Sequence, residues 1–289
     1  MPAHVSERVH ALIAGEWQPP ALRDATTVVL LRDHDALETF LMRRVSTMAF
    51  AAGMYVFPGG QIDDADLASS FEWTGEPVDA ERMTAADDLA RGLIVCAVRE
   101  LFEETGVLLA VDQHGRIPEE DERWEDDRAA VHASSDALAS VLARRGLALD
   151  PGLLPLWTHW VTPEIESRRY DVRFFVATVP TGQRVRDVSG EADDVRWARP
   201  GDAIAAYADG RLPMLPPTAA TILDLTHFSD ASSVLATAAS RDVRPLMPRA
   251  RLDDSGAIAW EIIDVRDGSV ILPLDSEPAG SEVHGAGAP

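Results

Sequence analysis

The chain has 289 residues, 46% hydrophobic and 26% charged, with 48 acidic against 26 basic residues and a formal net charge of −22. That length holds one large domain or a core with additions, and such a field repels nucleic acid and acidic membranes, whose binding rests on Lys and Arg at phosphates. Cys96 is the single cysteine, so no internal disulfide forms, which fits a reducing, cytoplasmic setting.

The start, "MPAHVSERVHALIAGEW", has no long apolar run behind a basic stretch and reads as no signal peptide. No apolar run approaches the roughly 18 residues of a membrane span. Residues 1–24 read as an irregular, proline-containing extension with Trp17 as an anchor. "ATTVVLLR" (25–32) is β-branched and nearly all apolar, the pattern of a buried strand. "DHDA" turns the chain into "LETFLMRR" (37–44), completing a hairpin. "MYVF" is a short strand that runs into Pro58, Gly59 and Gly60. Residues 61–85 are polar, Asp-rich and weakly patterned. From about Ala86 a helical period takes over, with Ile94, Ala97, Val98 and Leu101 as its core stripe and Gly106 as its C-terminal cap. "VLLAV" (107–111) reads as a strand, and the charged, Ala-rich 112–150 as an insertion of one or two helices on the side of the core.

"LWTHWVTP" (156–163) and "YDVRFFVATVP" (170–180) predict antiparallel strands, and "DDVRWARP" (193–200) a short one. "GDAIAAYADG" (201–210) predicts a short helix, and 216–240 a longer helical region opened by proline. Residues 250–274 hold two strands, "IAWEII" and "VILPL", and the Gly/Pro/Ala-rich 277–289 predicts a disordered tail. The mixed order suggests an α/β or α+β sandwich with a mixed sheet. The organisation predicted is a main domain over 25–245, with insertions at about 61–85 and 112–150, and C-terminal strands over 246–276 packing on it. No G-x-G-x-x-G or Walker A pattern is present.

The helix carries the chemistry. Glu100, Glu103 and Glu104 share an arc of about 100° opposite the core stripe. Like charges at this spacing cost roughly 0.2–0.5 kcal/mol per pair, and they stand at the end of the helix that disfavours anions. Arg99 is the nearby basic residue and cannot offset three carboxylates, whereas a hard divalent cation such as Mg²⁺ or Mn²⁺ can. A solvated acidic face is the plainer reading of the same residues. Arg43 and Arg44 close the second strand just before the glycine loop, as phosphate contacts or solvated strand ends. Arg168, Arg169 and Arg173 make a basic patch for a phosphate, or a salt-bridge network with nearby acids. Trp157, Trp160 and Phe175 suit either adenine stacking or core packing. Cys96 reads as packing, and the scattered histidines argue against a zinc site.

"RELFEETGV" (99–107) resembles the second half of the Nudix box, G-x5-E-x7-R-E-U-x-E-E-x-G-U with U apolar. Arg99, Glu100, Leu101, Glu103, Glu104, Gly106 and Val107 all match. Gly60 matches the box glycine, but the arginine follows about 25 residues later than in an uninterrupted box, and Asp66 stands at the spacing of the first glutamate. The segment "FLMRRVSTMAFAAGMYVFPGG" is similar to the one before the box in coenzyme A-cleaving relatives, and the interruption resembles that of peroxisomal-type coenzyme A diphosphatases. The resemblance implies an α/β/α sandwich and metal-dependent attack of water on a nucleoside diphosphate linked to another moiety. It implies Glu100, Glu103, Glu104 and the Gly60 carbonyl as ligands of Mg²⁺ or Mn²⁺, and Arg99 orienting a box glutamate. Glu100 and Glu191, in the loop "SGEADDVRW", are rival bases. Arg43, Arg44, Gly59 and Arg173 are the candidate substrate contacts. Coenzyme A or acyl-coenzyme A is the leading substrate; NADH or ADP-ribose, a non-catalytic ligand sensor and a protein-interaction scaffold are the alternatives. The expected partner is a small-molecule nucleotide, with a homodimer left open.

Overall fold

The structure, a computed structural model, describes residues 3–46, 51–67, 70–186, 190 and 192–274. In chain order the elements are α1 (Ala3–Ile13), β1 (Leu22–Asp33), β2 (Leu37–Arg44), β3 (Tyr55–Val56), β4 (Gly59–Gln61), α2 (Asp87–Thr105), α3 (Trp124–Ala133) and α4 (Ala137–Arg145). There follow β5 (Leu156–Val161), β6 (Arg169–Thr178), β7 (Ala192–Ala198), α5 (Pro200–Ala208), α6 (Pro216–Leu225), α7 (Ala231–Ser240), β8 (Pro245–Leu252), β9 (Ile258–Asp264) and β10 (Val270–Leu274). The chain divides into a larger unit, Leu22–Trp160 with Tyr170–Arg244, and a smaller one of Met1–Ala21, Val161–Arg169 and Pro245–Pro289.

In the larger unit β5, β6, β1, β2 and β3 are neighbours in that order, with β4 on β1 and β7 on β2. The β1–β2 hairpin pairs Leu31 with Thr39 and Asp33 with Leu37. Alternation along the strands divides their apolar residues between two faces. Val28 and Leu30 of β1 and Phe40 and Met42 of β2 join Ile94, Ala97, Val98 and Leu101 of α2 in one core. Each of these side chains larger than alanine, fully buried, stabilises by about 1.5–3 kcal/mol relative to exposure. Val29, Leu31 and Leu41 on the opposite face are equally buried, so both faces of the strands are covered. β4 lies antiparallel on β1 with Gly59 opposite Thr27 and Gly60 opposite Thr26, which fixes the glycine loop to the sheet.

The smaller unit holds α1 and the antiparallel run β8–β9–β10. Val161, Met247 and Ile263 form its apolar cluster. Trp17 is anchored there through Nε1 donating to the Glu164 carbonyl at 2.9 Å.

Four local expectations change. The "irregular" start contains α1. Residues 107–111 are buried but form no strand beyond a single bridge, Val111 to Ala148. There the Gln183 side chain takes the place of a neighbouring strand: its Oε1 accepts from the Leu108 N–H at 2.9 Å and its Nε2 donates to the Leu108 carbonyl at 3.1 Å. The region 216–240 breaks into α6 and α7, the second capped by Asp230, whose side chain accepts from the Ser233 N–H. β8, "PLMPRARL", carries two prolines and did not read as a strand. The 277–289 tail lies outside the described residues.

Candidate active site

α2 departs from a half-exposed amphipathic helix. Its apolar stripe meets the sheet, but the face opposite is covered too, by β4, by the short 3-10 turn Asp64–Leu67 and by α3. Arg99 and Glu104 are only 5% and 6% exposed. The helix ends where Gly106 adopts φ 77° and its N–H returns to the Phe102 carbonyl.

Arg99 is the centre of the buried charges. Its Nε and one Nη reach both oxygens of Asp66 at 2.8 Å. The other Nη donates to Glu100 Oε1 at 2.7 Å and to Glu103 Oε1 at 3.1 Å. A further bond at 3.2 Å goes to the Gln61 carbonyl, in the glycine strand. Glu104 points the other way and accepts the Gly59 N–H at 2.9 Å. The three box glutamates, Arg99, Gly59 and Gly60 are therefore brought together.

Both glycines are required. Gly59 has φ 153°, and a Cβ there would stand 2.2 Å from the Thr26 carbonyl oxygen. A Cβ on Gly60 would stand 2.2 Å from Glu100 Oε1, so the absence of a side chain is what admits that carboxylate. Beneath them the Cys96 Sγ contacts the Gly60 carbonyl at 3.7 Å and accepts from Thr26 at 3.4 Å. Burial holds this thiol well above its ordinary pKa, as fits a packing residue.

Asp66, Glu100 and Glu103 share the one Arg99 guanidinium, so the cluster carries excess negative charge. Burial, with repulsion from Glu103 and Asp66, raises Glu100 to a pKa of about 7 against the pull of Arg99. Glu103 is also raised, chiefly by burial. Burial works against the Arg99 cation, but its bonds to Asp66 and the Glu100 charge raise its pKa nonetheless. An oxygen-only donor set with uncompensated charge is what a hard divalent cation takes. Among the described residues no three Asp, Glu, His or Cys side chains converge on one point, because Glu100 and Glu103 turn to Arg99 and Glu104 turns to Gly59. The donors and their charge fit such an ion, with the side chains held near it by Arg99 and the glycine strand.

Among the described residues the other candidates make no ion pair with this cluster. Arg43 pairs with Asp193 at 2.6 Å beside the Tyr55 ring. Among the described residues the Arg44 Nε is buried without a hydrogen-bond partner. Among the described residues no ion pair joins either arginine to the glutamates. Arg173 is buried at 1% exposure; its donors go to Asp24 at 2.7 Å, to Asp171 at 3.1 Å and to the Met83 and Thr84 carbonyls at 3.1 and 3.3 Å. Arg169 donates to the Thr162 carbonyl, and Arg168 is exposed. Trp157, Trp160 and Phe175 are buried. Glu191 lies outside the described residues. Two participants escaped the sequence reading: Asp66 as the partner of Arg99, and α3, which sets His132 Nδ1 3.6 Å from Glu103 Oε2. Only the spacing of Asp66 from Gly60 hinted at the first.

This glycine strand followed by a buried Arg-Glu-Glu-Glu helix on a covered sheet is the Nudix arrangement. The chain is similar to the crystal structure of a Nudix hydrolase from Alicyclobacillus acidocaldarius, with a TM-score of 0.64 and 32% identity, over 75% of this chain and 96% of that one. The family model of the NUDT19 Nudix domain matches residues 76–225, and the chain belongs to that Nudix family. Curated relatives named acyl-coenzyme A diphosphatase NUDT19 include one from Xenopus laevis, 25% identical over 66% of this chain and 60% of that protein. A human one is 24% identical over 77% and 69%. The chain thus spans about 60% of the length of the Xenopus relative. Among the described residues no helix is long and apolar enough to cross a membrane.

Proposed function

We propose that the protein is a divalent-cation-dependent hydrolase that cleaves the diphosphate bond of a nucleoside diphosphate linked to another moiety, with coenzyme A or acyl-coenzyme A as substrate. The observation that carries this is the buried cluster in which Arg99 holds Asp66, Glu100 and Glu103 while Glu104 accepts the Gly59 N–H beside Gly60. The coenzyme A assignment is supported by the names of the NUDT19 relatives and by the segment before the glycine loop.

Glu100, Glu103, Glu104 and the Gly60 carbonyl would hold Mg²⁺ or Mn²⁺. Bound there, the cation lowers the pKa of a coordinated water and neutralises charge gathering on the diphosphate. Arg99 fixes the rotamers of Glu100 and Glu103 and keeps their lone pairs in register with the glycine strand. Glu100, whose carboxylate lies against Gly60, is the candidate base on the helix. Glu191 is the alternative base. Arg43, Arg44 and Gly59 meet the substrate's phosphates. Arg173, whose donors are already engaged, braces the segment entering α2 rather than touching substrate. The proposal extends to a cytosolic setting, supported by the single free thiol of Cys96.

The test is product analysis by mass on coenzyme A, acetyl-coenzyme A, NADH and ADP-ribose with Mg²⁺ or Mn²⁺. Release of 3′,5′-ADP and a phosphopantetheine from the coenzyme A members supports the reading. Cleavage of NADH or ADP-ribose alone keeps the reaction and replaces the substrate. No cleavage by folded protein favours a ligand sensor.

A further inference from the structure

A helix leaves its last carbonyls without partners inside the helix, and in α2 those carbonyls belong to the turn that carries the glutamates. Gly106 returns its N–H to the Phe102 carbonyl at 2.9 Å. One residue on, the Val107 N–H bonds to the Thr105 hydroxyl at 3.2 Å rather than to the Glu103 carbonyl. Glu103 therefore sits on a turn that other parts of the chain must fix.

The insertion 112–150 supplies the partners. α3 packs on the end of α2 with Trp124, Arg128 and Val131 buried. Arg128 Nη1 donates to the Glu103 carbonyl at 3.1 Å, and Trp124 Nε1 to the Gly106 carbonyl at 2.8 Å. Trp124 also meets Phe102 edge to face at 5.6 Å. Arg128 is only 7% exposed, and its Nε is held by Glu125 on the same helix at 2.8 Å. From beyond β6, the Arg186 N–H takes the Thr105 carbonyl at 3.0 Å. A buried cation at this end of α2 also counters the negative pole of the helix, where the carboxylates are poorly placed.

Glu103 is thus gripped at both ends. Arg99 holds its carboxylate at 3.1 Å from inside the box, and Arg128 holds its carbonyl at 3.1 Å from outside it. Fixing the main chain and the side chain together leaves the carboxylate one direction in which to point.

We infer that Arg128 is a positioning residue of the hydrolytic site: through the Glu103 carbonyl it sets where the carboxylates of the last turn of α2 stand. The inference rests on the proposal that the box glutamates hold a divalent cation. The insertion then tunes that site without contributing a group to it.

The experiment compares the full-length wild type with Arg128→Met, Arg128→Lys and Glu125→Gln. Each is assayed for coenzyme A hydrolysis with Mg²⁺ titrated, and for amide hydrogen exchange by mass in metal-free protein. In Arg128→Met the Mg²⁺ concentration for half-maximal rate is expected to rise about tenfold or more. The KM for coenzyme A is expected to change by less than about twofold. Amides of residues 102–107 are expected to exchange at least about tenfold faster, while 94–101 keep wild-type protection. Arg128→Lys, which keeps a cationic donor, is expected to recover part of both effects. Glu125→Gln, at a half-exposed side chain, is expected to give the same shifts more weakly, which keeps the inference testable if Arg128→Met does not fold. Faster exchange with unchanged Mg²⁺ dependence reduces Arg128 to a helix cap and overturns the inference, as does unchanged exchange or a rise in the coenzyme A KM alone. A folded wild type that hydrolyses none of the substrates overturns the hydrolase reading, and this inference with it.

Discussion

Asp66 and Arg99 form a buried two-pronged ion pair, both bonds 2.8 Å long, across 33 residues of sequence. Asp66 lies in the segment that interrupts the Nudix box, so the interruption reaches back and closes on the glutamate helix. The pair fixes the guanidinium, and the guanidinium fixes Glu100 and Glu103. In Asp66→Asn the guanidinium keeps Glu100 and Glu103, so the loss is that of charge-assisted hydrogen bonds, about 1.5–3 kcal/mol. Asp66→Asn is expected to lose stability on that scale in urea denaturation. Arg99→Lys is expected to lose activity strongly, because an ammonium cannot repeat the planar fork. A loss below about 1 kcal/mol for Asp66→Asn would show that Asp66 is dispensable.

The two glycines fail differently when substituted. In Gly59→Ala the new methyl meets backbone, the Thr26 carbonyl oxygen, and φ 153° adds strain. This variant is expected to fold poorly, with reduced soluble yield and a lowered Tm. In Gly60→Ala the methyl meets the movable carboxylate of Glu100. That variant is expected to keep most of its stability, as read by thermal melting, while Mg²⁺-dependent turnover falls at least about tenfold. Equal behaviour of the two would contradict the close approach of Glu100 to Gly60.

Glu100 gives a pH dependence with a definite sign. Its pKa rises from an ordinary 4.5 to about 7 through burial. Between those values the folded, cation-free protein holds a proton that the unfolded chain releases. Stability from this group is therefore lost as pH rises through that window. Burial holds His159 below its ordinary value, which contributes with the opposite sign. The quantity to compare is thus the difference in Tm between wild type and Glu100→Gln in chelator. Wild type is expected to fall relative to the variant from pH 5 to 7.5, and Mg²⁺ to raise the wild-type Tm more at pH 7.5 than at pH 5.5. A flat difference would mean that Glu100 ionises normally.

The parts of the fold legible in the sequence were local ones. Alternation drew the β1–β2 hairpin, the period of Ile94, Ala97, Val98 and Leu101 drew α2, and Gly106 marked its end. What went unread depends on distant chain. Glu100, Glu103 and Glu104 look like a solvated face until α3 and the 61–67 segment cover them. The stretch 107–111 has strand composition, but Gln183 satisfies its backbone at Leu108 in place of a neighbouring strand. Arg173 in "ESRRYDVRFF" reads as a phosphate contact or as part of a salt-bridge network with nearby acids; the network forms, with Asp24 and Asp171, and the Met83 and Thr84 carbonyls, some ninety residues away, add bonds that no local pattern shows. At the site, motif spacing carried the box residues, whereas the interruption hid Asp66 and nothing in composition marked His132.

The central claim is that the Arg99-centred carboxylates hold the cation on which diphosphate cleavage depends. The most direct measurement is hydrolysis of coenzyme A by metal-stripped protein, with Mg²⁺ titrated back, for wild type, Glu103→Gln and Glu104→Gln, each checked for folding. The account predicts no turnover without cation, recovery in wild type on titration, and loss of about a hundredfold or more in both variants. Undiminished turnover in the stripped protein, or variants as active as wild type at the same Mg²⁺ concentration, would contradict it.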